Sequence, residues 1–77
     1  MTTINFELPI KEFVNIQIYD LMGRNIRSLI NMVQDAGYRT VQWNATNDFG
    51  QPVTAGMYIY TIQVGDFRQT KKMLLLK

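Results

Sequence analysis

Six carboxylates, Glu7, Glu12, Asp20, Asp35, Asp48 and Asp66, are the acid and base groups this 77-residue chain offers, because it contains neither His nor Cys. That absence excludes thiol nucleophiles, His-based triads, imidazole ligands and ordinary zinc sites together. Acid–base catalysis by two carboxylates needs a close pair. The six are scattered along the sequence and read as solvated surface charge. Asn44, Thr46 and Asp48 fall at alternate positions, a spacing reminiscent of a calcium loop. That stretch has one carboxylate, no acidic closing residue, and Phe49 where such a loop wants Gly. Ordering of the loop by bonds from side chains to backbone is the simpler account, although the sequence alone leaves ion binding between Asn44 and Asp48 open. No catalytic, cofactor-binding or metal-binding residue is expected, and no cofactor.

Binding surfaces are the remaining candidates. Tyr19, Tyr38, Tyr58, Tyr60 and Phe67, beside Arg39 and Arg68, have the types of a stacking platform for sugar or single-stranded nucleic acid. In so small a domain Tyr58 and Tyr60 read better as core, with their hydroxyls at the rim. The net charge of +2 is a weak footprint for nucleic acid. Arg68, Lys71, Lys72 and Lys77 crowd the last ten positions and could dock an anionic surface, or keep a closing strand soluble at a sheet edge. Lys71 and Lys72 lack an Asn neighbour for an internal isopeptide bond, and Asn44-Ala45-Thr46 is read as a chance glycosylation triplet. The longest apolar run, Met73 to Leu76, is far too short for a bilayer helix.

The elements that position these groups follow from a period of two. Ile4, Phe6 and Leu8 alternate with Thr3, Asn5 and Glu7 until Pro9, and Val14, Ile16 and Ile18 repeat the device between Phe13 and Tyr19. Asp20 to Gly23 then makes a turn, in which a carboxylate can accept backbone NH groups and Gly23 can take a positive φ. From Arg24 to Val33 two periods compete. Ile26, Leu29, Ile30 and Val33 suit a helix, whereas Ile26, Ile30 and Met32 suit a strand with Ser28 turned inward; short length and β-branched content favour the strand. Tyr38 to Trp43 alternates again, with Val41 and Trp43 inward and Arg39 on the same side. Asn44 to Thr54 is a loop by composition. Gly56 opens a strand running to Val64, Gly65-Asp66 is a hairpin signal, and Phe67 to Leu76 closes the chain.

Six to seven short strands without a helix predict an all-β, immunoglobulin-like antiparallel sandwich with Trp43, Tyr60 and Ile62 in its core. At this length one domain is expected, spanning 1–77, and the abrupt start at Met1 suggests a module excised from a larger protein.

A set of motifs in fixed order carries a resemblance. Ile4-Asn5-Phe6-Glu7-Leu8-Pro9, Ile18-Tyr19-Asp20-Leu21-Met22-Gly23-Arg24, Ala36-Gly37-Tyr38, Val41-Gln42-Trp43-Asn44, Asp48-Phe49-Gly50, Ala55-Gly56-Met57-Tyr58 and Lys72-Met73-Leu74-Leu75 cover nearly all of the chain. Together they resemble the immunoglobulin-like C-terminal module shared by the flagellar hook-capping protein and the sorting domains of type IX secretion. The Trp43 to Gly50 stretch is closer to the hook-cap branch. This resemblance implies a non-catalytic module that directs secretion and surface attachment of a larger bacterial protein through its terminal strand. It would be delivered through the periplasm of a Gram-negative-type cell to the exterior. The alternative it implies is a structural domain packing against neighbouring domains or subunits, as in a hook-cap assembly. The partner would be secretion machinery or a neighbouring domain, with no nucleic acid and no membrane span, and the isolated module would be a monomer. By position, the resemblance assigns recognition to Asp20, Gly23 and Arg24 in the turn, Gly56 and Tyr58 at the opening of the penultimate strand, and Lys72, Met73 and Leu75 in the last.

Overall fold

Alternation along the chain produces strands wherever it was expected. The computed structural model describes residues 2–76 and contains six of them: β1 (Thr2–Leu8), β2 (Glu12–Tyr19), β3 (Asn25–Gln34), β4 (Gly37–Trp43), β5 (Gly56–Val64) and β6 (Phe67–Leu75). All pair antiparallel. β1 and β4 form a two-stranded sheet, and the other four form a sheet in the order β3-β2-β5-β6. With no helix among the described residues, the architecture is an immunoglobulin-like β-sandwich.

Residues at alternate positions face inward from both layers. Ile4 and Leu8 of β1, Val14, Ile16 and Ile18 of β2, Trp43 of β4, Tyr58 and Ile62 of β5 and Leu75 of β6 make the buried core. Burying side chains of this size stabilises by about 1.5–3 kcal/mol each. Tyr60, expected inside, packs half-buried against this core instead. Its neighbour on β6 is the exposed Lys71.

β3 explains the competing periods and corrects one orientation. Ile16 pairs with Ile30 but Gln17 pairs with Ser28, and Ile18 pairs with Arg27 but Tyr19 with Asn25. Leu29 and Ile26 are thus passed over, each an extra residue in a β-bulge. Ile26, Leu29 and Ile30 all pack against the core, so the helix-like spacing is that of a twice-bulged strand. The bulge at Leu29 shifts the phase and leaves Ser28, expected inward, exposed opposite Gln17; Met32, opposite the buried Val14, keeps the inward side but stands 56% exposed near the far end of β3.

The hairpin at Gly65-Asp66 joins Val64 to Phe67. Of its two central residues only Gly65 has a positive φ, +56°, which is the type II′ arrangement and accounts for glycine standing first.

Candidate functional site

Among the described residues no cluster of three acidic, His or Cys side chains could hold a metal ion. What the surface presents is shape, and its most ordered features are two loops at one end of the four-stranded sheet.

The first is the turn from β2 to β3. Asp20 Oδ1 accepts the NH of Met22 and of Arg24, both at 2.9 Å, and the Gly23 NH donates to the Asp20 carbonyl at 3.0 Å. The Arg24 guanidinium then reaches back to Asp20 Oδ2 at 2.7 Å. Gly23 at φ +85° closes the reversal, a conformation costly for any side chain bearing Cβ. The Asp20 NH donates to the Arg24 carbonyl at 3.1 Å and completes a three-residue hairpin loop. The NH of Arg24 does most to hold the Asp20 carboxyl below its ordinary value; burial opposes it, and the Arg24 guanidinium and the Met22 NH reinforce it. Only 16% of the Asp20 side chain is exposed, against 74% of Arg24. Leu21 and Met22 project from the tip into solvent.

The second is the loop between β4 and β5, and it contains the same turn. Asn47 Oδ1 accepts the NH of Phe49 at 2.9 Å and of Gln51 at 3.0 Å, the Gly50 NH donates to the Asn47 carbonyl at 3.0 Å, and the Asn47 NH donates to the Gln51 carbonyl at 2.9 Å. Gly50 has φ +79°. Residue types were the available signal: Asp20-Leu21-Met22-Gly23-Arg24 and Asn47-Asp48-Phe49-Gly50-Gln51 share an acceptor side chain at the first position and glycine at the fourth. In the sequence the signal at Asn47 is masked by the competing oxygens at positions 44, 46 and 48.

Unlike the first turn, the second is tied down on every side. The Asp48 NH donates to the Ile26 carbonyl at 3.0 Å, and Asp48 Oδ1 accepts the Ser28 NH at 2.9 Å. This covers part of the free edge of β3. Arg27 donates from Nη1 to the Asn47 carbonyl at 2.9 Å. Trp43, fully buried, donates from Nε1 to the Thr46 carbonyl at 2.8 Å, and the Tyr58 hydroxyl donates to the Thr54 carbonyl at 2.7 Å. The two rings meet edge-on at 5.2 Å. The oxygens that resembled calcium ligands have internal partners: Asp48 Oδ1 takes the Ser28 NH, and Asn44 Oδ1 takes the Thr46 hydroxyl. The loop is ordered by its own hydrogen bonds.

β6 pairs directly with the opening of β5, placing Gly56 opposite Leu75, Tyr58 opposite Met73 and Ile59 opposite Lys72. Gly56, Tyr58, Met73 and Leu75 therefore share the sheet end that carries the Asp20 turn. Tyr58 and Leu75, expected as recognition residues, are buried and out of reach of a partner, whereas Gly23, Arg24 and Lys72 are exposed. The basic residues do not form one face. By register, Arg68 and Lys72 lie on one side of β6 and Lys71 on the other; Lys77 lies outside the described residues. Nor do the aromatics gather into a platform: Tyr58 is buried, while Tyr38 and Phe67 are exposed on different sheets.

The profile of the FlgD Ig-like domain matches residues 2–66. A crystal structure of FLGD from P. aeruginosa matches with a TM-score of 0.71 at 20% identity over 94% of this chain, which spans 57% of the length of that one. No curated protein matches. The structural likeness establishes the fold. The sorting-domain half of the resemblance finds no support in any of these comparisons. The expected location, a surface reached by sorting through the periplasm, is corrected by the same findings, since matches to FlgD point to a flagellar structure.

Proposed function

We propose a role from one premise: this chain belongs to the family of FlgD Ig-like domains. It serves as a structural, non-enzymatic interaction module of a flagellar hook-cap assembly, packing against neighbouring domains or subunits. The family match over residues 2–66 is the observation that carries this reading. A surface of ordered turns and sheet edges agrees with it, because such a body offers contours for docking.

Within this reading, residues 1–77 form one module of a larger protein, as the greater length of the FLGD chain supports. The Asp20–Arg24 turn is a contact point: its backbone is rigidly bonded, and it holds Leu21 and Met22 in solvent at 61% and 80% exposure. Exposed apolar side chains on a preorganised loop lose little freedom on docking. Gly23, Arg24 and Lys72 border the contact, while Gly56, Tyr58, Met73 and Leu75 support it from within the sheet.

The test is association. The chain, alone and joined to the rest of its native protein, is mixed with hook and hook-cap subunits and followed by sedimentation and crosslinking. Expected is a complex that a Leu21→Asp, Met22→Asp double variant weakens about tenfold or more, with the Trp43 fluorescence of the folded state unchanged. No complex with any hook or cap component would refute the role.

A further inference from the structure

A seven-stranded immunoglobulin sandwich divides its strands four and three between the sheets. Here the division is four and two. The shortfall has a location. β4 occupies one side of β1, and on the other side no backbone hydrogen bond is made by residues of β1 to any described residue. In a two-stranded antiparallel pair, alternate residues of each strand aim their NH and CO groups outward, so this edge of β1 is a row of unmet donors and acceptors.

Beside that edge runs a groove of about 500 Å³, bounded by Asn5, Phe6 and Glu7 of β1, by Pro9 and Ile10, and by Ile62, Val64, Phe67 and Gln69 of the opposite sheet. Its floor is apolar. Phe67 and Ile10 stand 60% and 62% exposed, the state of core side chains whose covering layer is missing. Glu7 and Glu12 line the groove as well and form no ion pair with a described residue.

The outer edge of β4 is unpaired as well, but it carries Arg39, and the apolar groove lies against β1; the edges of the large sheet are protected. The Asp48 loop bonds to β3, which is also bulged, and β6 carries Arg68, Lys71 and Lys72. Lysines, bulges and covering loops are the usual defences of a sheet edge. β1 has a continuous register of seven pairs without a bulge, no lysine or proline, and one charge, Glu7, in its length. An unguarded edge beside an apolar trough is built for strand addition.

We propose that this groove accepts an extended segment of a partner protein as the third strand of the small sheet. The segment pairs with β1, alternates apolar side chains facing Phe67, Val64 and Ile62, and brings a lysine or arginine to Glu7 and Glu12. The inference deepens the proposed interaction role, rests on it for the existence of a protein partner, and names the surface and the mode of binding. Seven residues of extended chain reach about 23 Å, enough to follow β1 from end to end.

The probe is a blocked synthetic heptapeptide alternating Val and Thr with Lys at both ends, titrated into the 77-residue chain. Saturable binding is expected, with amide exchange slowed about tenfold or more at alternate residues between Thr3 and Glu7. Phe67→Ser should weaken binding about tenfold or more, since an aromatic contact is lost; its exposure makes the fold insensitive to the change, which near-UV circular dichroism of Trp43 checks. A version of the peptide N-methylated on amides of both edges should not bind. Equal binding of the methylated peptide, protection at β6 instead of β1, or no binding at all would each overturn the proposal. So would a chain dimer that protects β1 and excludes the peptide, because the groove would then belong to a second copy. Loss of peptide binding alongside intact association with hook-cap subunits would reject this groove and leave the interaction role standing.

Discussion

The two turns centred on Asp20 and Asn47 have the same backbone and opposite settings. In each, one side-chain oxygen holds the NH groups two and four residues ahead, and a glycine of positive φ completes the loop. The Asn47 turn has a neutral acceptor and is fastened: Arg27, Asp48, Trp43 and Tyr58 bind its loop to the edge of one sheet and to the core. The Asp20 turn is charged and stands free, closed on itself by Arg24. The difference separates two contributions. Acceptor geometry and glycine are common to both loops, and a neutral amide takes the acceptor's place as well as a carboxylate. Charge adds a dependence on pH, and docking adds coupling to the fold.

That separation can be broken by substitution. The largest effect is expected from Gly50→Val, which places a β-branched side chain at φ +79° in the fastened loop and should lower stability by about 2 kcal/mol or more in urea unfolding. Gly23→Val should distort its turn with less damage to the global transition, because few contacts depend on that loop; equal losses at both sites would show that fastening contributes nothing. Asn47→Ala leaves two backbone NH groups without their acceptor and should cost about 1–2 kcal/mol, whereas Asn47→Asp keeps the acceptor and should cost much less. Tyr58→Phe removes only the bond to the Thr54 carbonyl, with an expected loss of about 1 kcal/mol and faster amide exchange between residues 45 and 54.

The smallest effect concerns Asp20. Its folded pKa lies below the ordinary value of 3.8, so its stabilising contribution is fully present above that value and is lost as pH falls through the lower folded value. Asp20→Asn should therefore flatten the stability profile only on the acid side of 3.8 and leave the turn intact at neutral pH. A wild-type profile that matches the variant throughout the acid range would show that the carboxylate adds nothing to the amide.

Much of the fold was legible because strands with one face buried reveal themselves residue by residue. Ile4 and Leu8, Val14, Ile16 and Ile18, and Val41 with Trp43 fall on the inward side as their spacing requires. The Asp20 turn was legible for the same local reason, as its acceptor, glycine and arginine all lie within five positions. Ser28 misled because a bulge at Leu29 changes the phase of β3, and a bulge is decided by what the strand pairs with; Met32 keeps the expected side and is exposed because it lies near the end of the strand. Tyr58 and Leu75 looked like contact residues when judged by motif alone; their burial follows from the opposing sheet. Asn47 was missed although its signal was present, because a loop rich in polar residues offers several acceptors and only the folded chain selects one.

Composition alone determined the absence of thiol and imidazole groups, and local sequence determined the period of two and the breaks at glycine, since these depend on neighbours a few residues apart. The tertiary structure decided the division of six strands into four and two, and with it the uncovered edge of β1 and the exposed ring of Phe67. Strands distant in the chain compete for the same partners, and that competition is resolved only when all of them pack at once.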